Sequence, residues 1–342
     1  MQIQEVEPAD EAGLAQFLQV ARQVHAADPH WVPQSEAAFE SLLASAGSTF
    51  VRPLLCLREG EVLARAVAIL NPGASNELGQ PVGYIGFFEC LPEQAPAGVA
   101  VLLAAEGLLR AQGAVSTQAP RVDNMLMGLV VERFDLPQTV LTPHNPPYYA
   151  GILREAGYRV RETLCTYTFE RTSAITFPLV RPGFHTRVFN RQNLEAEVQI
   201  FHALQQGIFG HQPGWVARSL EEDRRMISEI LPMLDDELVI IAEDRTGRAV
   251  GLLVCLPDVY QAYRGAPIDN ARAISIGVIR PLVDKGLGVL MGLHLARNLT
   301  AKGYRTLEAS WVREGNLAPQ NMLTRRFLGR PGRKFALFEK TL

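Results

Sequence analysis

Three observations predict an α/β chain built on mixed sheets and made of two similar halves. The first is a strand-like, β-branched apolar run at 274–279. It leads through a short turn into Gly286-Leu287-Gly288, a helix that runs to Lys302 and ends at Gly303, and a second strand at 306–312. Glycine just past the last helical residue is the expected stop, because it adopts the left-handed backbone without a Cβ clash. The second is a hairpin signal in each half, at 58–61 (Arg-Glu-Gly-Glu) and at 244–248 (Asp-Arg-Thr-Gly-Arg). The third is the order of elements, which reads β-α-α-β-β-β-α-β-α-β twice; shared order without shared residues still argues for duplication.

In the first half, 2–6 reads as a strand. Residues 10–26 form a helix with Leu14, Phe17, Leu18, Ala21 and Val24 at helical spacing. A break at 25–33 and a short helix at 36–45 follow, then strands at 54–57, 62–70 and 82–90 and a helix at 97–112 closed by Gly113. Asn145-Pro146-Pro147 opens a helix at 148–155, closed by Gly157, and 158–171 is a long alternating strand. Residues 172–183 lack periodicity and carry two prolines, which predicts a first domain at 1–171, a linker at 172–184 and a second domain at 185–342. The second half then gives a strand at 185–189, helices at 194–208 and 219–231, and strands at 238–243 and 249–256. The strand–turn–helix–strand unit follows, then a helix at 318–327 and a last strand at 335–339.

With 342 residues, 47% of them hydrophobic and 20% charged, the chain can fill two cores. A net charge of −3 with no basic run gives no footing for nucleic acid. No apolar run of about 18 residues predicts a membrane span, and the acidic start is unlike a signal peptide. Cys56, Cys90, Cys165 and Cys255 lie far apart in apolar runs, which predicts buried free thiols in a reducing, cytoplasmic setting. The histidines show no metal-ligand spacing, so no metal is expected. Oligomeric state is not readable.

Gly286 and Gly288 open a helix directly after a strand. Without Cβ atoms the backbone there can close on a phosphate, and the N–H groups of Gly286, Leu287, Gly288 and Val289 can donate to it, with Lys285 adding charge. The same residues also make an ordinary strand-to-helix turn. A P-loop needs Gly-Lys-Ser/Thr, and a dinucleotide fingerprint needs a third glycine where Met291 stands. Asp284 fits an N-cap and would repel a pyrophosphate. Apolar Val289, Leu293, Leu295, Ala296 and Leu299 predict the buried side of the helix, and His294, Arg297 and Asn298 its solvated side.

The loop resembles that of the GCN5-related N-acetyltransferase (GNAT) family, with Val278, Lys285, Gly286, Leu287 and Gly288 in register and Val283, Asp284 and Pro281 departing from the pattern. Asn316 and Ala318 match the family's N-x-x-A turn. Nearly the whole chain is similar to a bacterial two-domain subgroup that carries GFFE (86–89), FDLP (134–137), NPPYY (145–149) and a Glu308-x-Ser310-Trp311 strand. The resemblance implies two tandem GNAT-like domains and an acyl-CoA co-substrate held by Val278, Ile279, Lys285, Gly286, Leu287, Gly288, Val289 and Asn316. It implies direct transfer of an acyl group to the amine of a small molecule or peptide. The first domain, with Pro92, Glu93 and Pro96 where the loop would be, is expected to be a degenerate copy without CoA. Base candidates are Glu308 and Glu243. The family's general-acid tyrosine has no counterpart in 318–327, so a non-catalytic protein that binds acyl-CoA or a partner is the alternative.

Overall fold

The computed structural model describes all residues except 34–35, 45–48, 171–181 and 213, and omits the side chains of 37, 38 and 284. The chain forms two compact units, Met1–Leu164 with Arg333–Leu342, and Cys165–Gly332. This differs from the expected division. The boundary falls inside a strand rather than at the linker, most of which lies outside the described residues, and the last strand returns to the first unit. Pairing partners of a terminal strand are not written in its local pattern, which hides this return.

The first unit contains β1 (Gln2–Glu5), α1 (Glu11–Val24), α2 (Glu36–Ala44), β2 (Phe50–Arg58), β3 (Glu61–Leu70), β4 (Val82–Cys90), α3 (Ala95–Ala111), β5 (Ser116–Ala119), β6 (Leu129–Glu132), α4 (Tyr149–Glu155) and the first half of β7 (Arg159–Glu170). β1 to β4 are antiparallel neighbours, and β4 and β5 are parallel, Val82 facing Ser116 and Tyr84 facing Gln118. The terminal strand pairs antiparallel with β5, Phe338 facing Ala119. The apolar side of α3, including Leu102, Ala105 and Leu109, packs on Leu54, Ala66 and Ile85 of the sheet. β5 escapes the hydrophobic pattern, whereas β6, Leu-Val-Val-Glu, is apolar but only four residues long. β5 is Ser-Thr-Gln-Ala, yet all four residues are buried, because Thr117 Oγ1 is hydrogen-bonded to Tyr158 Oη at 2.9 Å and Gln118 Oε1 accepts from Arg121.

The second unit contains β8 (Phe184–Val188), α5 (Leu194–Phe209), α6 (Leu220–Ile230), β9 (Val239–Asp244), β10 (Ala249–Pro257), α7 (Tyr260–Tyr263), β11 (Asn270–Val278), α8 (Leu287–Ala301), β12 (Thr306–Arg313), α9 (Leu317–Asn321) and the start of β13 (Arg330–Thr341). Ser219 caps α6 in a reciprocal box with Glu222, as the Ser-x-x-Glu spacing requires. The sheet order is β8-β9-β10-β11-β12, antiparallel except for β11 and β12. Leu287, Met291, Leu295 and Leu299 form the buried seam of α8 against Ile240, Leu253 and Ala271. At about 2 kcal/mol for each large apolar side chain removed from water, this seam fixes the helix on the sheet. It corrects the expected stripe: Val289, Leu293 and Ala296 are only half-buried. His294 is not on a solvated side either. It is half-buried, with Nδ1 2.9 Å from Thr186 Oγ1 on β8, and burial, with Arg297 nearby, holds its pKa below the usual value.

Candidate functional site

β11 and β12 run parallel and pair only from Asn270–Thr306 to Ala273–Ala309. Both strands continue past that point, so beyond Ala273 a gap opens between them and the rest of β11 is half-buried. The turn that follows β11 places the start of α8 at the end of this gap. Ile279 donates its N–H to Val250 O at 3.0 Å, which fixes the turn and engages the backbone N–H of a residue expected to hold acyl-CoA. Residues Arg280–Lys285 make a 3-10 turn and Lys285 is exposed. Gly286, at φ +75°, is the N-cap of α8. This corrects the N-cap expected at Asp284, whose side chain lies outside the described residues.

The first N–H groups of a helix have no intrahelical acceptor, and here these belong to the turn at Leu287, Gly288 and Val289. The first intrahelical bond at this end runs from Leu290 N to Gly286 O, at 3.1 Å. The two glycines have different causes. Gly286 needs its left-handed backbone. A Cβ on Gly288 would meet Met322 Sδ at 3.5 Å and Ile276 at 3.9 Å, which is ordinary contact. Packing within the unit therefore does not demand glycine at 288, whereas a ligand closing on the helix end would. Anions are favoured at that end by the free N–H groups and the helix dipole. The residues present thus fit a pyrophosphate.

Asn316 is the exposed N-cap of α9, without a side-chain cap bond. From it the chain turns back to α8: Met322 faces Gly288, and the Phe327 ring lies 2.7 Å from where a Cβ on Gly292 would be. Between these elements runs an apolar groove of about 850 Å³, lined by Ile276, Leu295, Leu299, Leu307, Met322 and Phe327 among others. From the sequence, Leu295 and Leu299 were read only as the buried side of the helix, and Ile276, Leu307, Met322 and Phe327 were not assigned to a groove. Leu295 and Leu299 have the spacing of any core seam, and only the third dimension shows that they also border open space.

The two carboxylates are engaged. Glu308 is buried, accepts from Ser310 Oγ at 3.2 Å and lies 3.8 Å from Arg272 Nε. Arg272 is also buried, donates to Ser310 Oγ at 2.7 Å and sits over the Trp311 ring. Glu243 bonds Arg187 Nε at 2.6 Å and lies 3.0 Å from His185 Nε2. Glu243 is two strands from β11, on the order of 10 Å at ordinary strand spacing. No tyrosine occurs in 317–327.

No family model matches the chain. Two curated proteins are similar along nearly all of it. Protein YghO of Escherichia coli is 24% identical over 366 residues, 96% of this chain and 93% of that protein. A bacterial ceramide synthase of Caulobacter vibrioides is 26% identical over 346 residues, 90% of this chain and 89% of that protein. Among solved structures, a tandem GNAT protein from the clavulanic acid biosynthesis pathway superposes with a TM-score of 0.63 at 14% identity, covering 99% of this chain and 98% of that one. A GCN5-related N-acetyltransferase from Sphaerobacter thermophilus gives 0.58 at 16%, covering 99% and 95%. The chain has the tandem GNAT fold.

Proposed function

We propose that the chain is a CoA-dependent N-acyltransferase. The second unit holds acyl-CoA, with the pyrophosphate on the N–H groups of Gly286 to Val289 beside Lys285, and the pantetheine arm in the gap between Val278 and the turn at Asn316. The observation that carries this reading is Gly288, a glycine that the packing around it does not require, at a helix start facing a strand gap. The amine nitrogen of the acceptor attacks the thioester carbonyl, the C–S bond breaks and CoA leaves as thiolate. Glu308 is the carboxylate this reading assigns to taking up the amine proton through one water, with Glu243, two strands from β11, connected only through a longer chain of waters. The apolar groove beside α8 favours an aliphatic acyl chain longer than acetyl. The relative described as a ceramide synthase agrees with that choice, since ceramides are N-acyl lipids.

A second reading is a protein that binds acyl-CoA without turnover. It is favoured by the engaged Ile279 N–H, the ion-paired Glu308 and Glu243, and the absent tyrosine. The test is release of free CoA thiol from acetyl-CoA and from palmitoyl-CoA with a panel of primary amines, including amphiphilic ones. Thiol release that depends on an amine, with the matching amide seen by mass spectrometry, supports the enzyme. Binding of acyl-CoA with no amide from any amine in the panel supports the second reading.

A further inference from the structure

Two loops of the first unit meet beside the end of α1. His25 is the C-cap of α1, and Asp28 follows it in the break before α2. His144 comes just before the Asn145-Pro146-Pro147 lead into α4. The loops are fastened to each other. Gln138 donates its backbone N–H to His30 O at 3.0 Å, and Val32 N–H donates to Gln138 Oε1 at 2.9 Å. The Trp31 ring stacks on His25 at 4.9 Å. One nitrogen or carboxylate oxygen from each of His25, Asp28 and His144 thereby lies within 4.8 Å of the other two. Nothing in the sequence spacing of 25, 28 and 144 signals a ligand set, which is why the sequence predicts no metal.

His25 is only 2% exposed, and its ring is poorly satisfied. Nε2 has no hydrogen-bond partner among the described residues, and Nδ1 has Asp28 Oδ2 at 3.9 Å, beyond hydrogen-bond reach. Buried polar atoms are almost always paired, so an imidazole placed like this calls for a further partner. A neutral imidazole carries one N–H and one lone pair. Nε2 faces Glu89 Oε2 at 3.4 Å, and Tyr149 Oη donates to that same oxygen at 2.6 Å. Arg65 faces the other oxygen, with Nη2 3.7 Å from Oε1. With its proton on Nε2, toward Glu89, His25 turns the lone pair of Nδ1 toward Asp28. A carboxylate behind an imidazole is the arrangement that fixes tautomer and ring orientation at metal sites.

Asp28 is set in the same sense. Its Oδ1 accepts from His30 N–H at 2.8 Å, which holds the carboxylate and leaves Oδ2 to the histidines. His144 Nε2 is 2.7 Å from Oδ2, and its Nδ1 has no partner among the described residues. The His144 proton can therefore move to Nδ1 and free Nε2 to ligate. Separations of 2.7 and 3.9 Å bracket the roughly 3.3 Å between ligand atoms around a tetrahedral ion with bonds of about 2.0–2.1 Å. Small ring rotations seat such an ion. His144 also lines an open hollow of about 530 Å³, which gives an ion and a water a way in.

We propose that His25 Nδ1, Asp28 Oδ2 and His144 Nε2 form a binding site for one zinc-type divalent cation, with water from the hollow as fourth ligand and Glu89 positioning His25. Two imidazoles and one carboxylate suit Zn²⁺, whereas Mg²⁺ and Ca²⁺ favour oxygen ligands throughout. The ion clips the loop after α1 to the loop before α4, and the site stands whether or not the second unit binds acyl-CoA.

The test uses the full chain, stripped with EDTA and dialysed, and ZnCl₂ alone. Calorimetric titration should show one Zn²⁺ bound per chain, and no binding of Mg²⁺ at the same concentration. The melting temperature should rise with Zn²⁺, because the ion binds the folded state. His144→Ala and Asp28→Asn should abolish saturable binding, and Glu89→Gln should weaken it by about tenfold at unchanged stoichiometry. His211→Ala, at an exposed histidine outside the cluster, should leave it unchanged. If His144→Ala does not fold, Asp28→Asn decides, since its amide oxygen can still accept from His30. A wild type that binds no Zn²⁺ overturns the proposal. So does Zn²⁺ binding that survives unchanged in Asp28→Asn, which places the ion on other side chains.

Discussion

Met322 Sδ stands 3.5 Å from the point where a Cβ on Gly288 would lie, a distance at which a methyl group makes normal contact. The fold therefore tolerates alanine at 288, and the helix start gains by about 0.5 kcal/mol from the lower entropy of the unfolded chain. Gly288→Ala should keep or slightly raise the melting temperature while weakening acyl-CoA. Gly286→Ala should lower stability by about 1 kcal/mol, because alanine resists φ +75°. Thermal melts of the two variants check the contrast, and a large loss of stability in Gly288→Ala would give that glycine a packing role instead.

Glu308 belongs to a buried ionic cluster. Removing Glu308 takes the nearby carboxylate from the Arg272 guanidinium, which is 1% exposed and keeps its bond to Ser310. Glu308→Ala should cost about 3 kcal/mol in urea unfolding, and Glu308→Gln less, since the amide oxygen can still accept from Ser310. If Glu308 also takes up the amine proton, Glu308→Gln lowers kcat at little cost in stability. Wild-type kcat in that variant would leave Glu308 a purely structural role.

Acid should weaken the fold before carboxylates titrate. Burial disfavours the charged form of His144 and outweighs the pull of Asp28, so its pKa lies below 6.5, and His294 is shifted the same way. As pH falls through 6.5 the unfolded chain takes up protons that the folded chain refuses. The stability contributed by these groups is thus complete above 6.5 and declines below it, until the folded pKa is passed. The urea midpoint should be lower at pH 5 than at pH 7.5, and His144→Asn should reduce the difference. Equal midpoints would contradict the assignment.

The thiols should be silent in the native state. All four cysteines are free and buried, and burial pushes the Cys90 thiol up to about 12 and those of Cys56 and Cys255 upward as well. A thiol reagent at pH 8 should label none before denaturation and four after it. Rapid native labelling of any one would show an opening that the packing does not predict.

The strand, turn and helix of the second unit were legible because each carries a local signal: β-branched residues, a glycine at a left-handed position, and a C′ glycine. The buried seam of α8 was half legible. Leucines occur on several sides of that helix, and the sheet beneath selects Leu287, Met291, Leu295 and Leu299. β5 was hidden because Thr117 and Gln118 are polar and buried through hydrogen bonds that distant residues supply. The surroundings of Glu89 were hidden for the same reason. His25, Arg65, His144 and Tyr149 come from four separate segments, and no spacing joins them. One sign was available in the sequence: a lone carboxylate in the otherwise uncharged run Val82–Cys90, a residue type almost never buried without a purpose.

The central claim is that the start of α8 holds the acyl-CoA pyrophosphate. It is tested most directly by calorimetric titration of acetyl-CoA and palmitoyl-CoA into the wild type and into folded Gly288→Glu. The account predicts binding by the wild type, tighter for palmitoyl-CoA, and loss of both in the variant. No binding by well-folded wild type, or equal binding by Gly288→Glu, would contradict it.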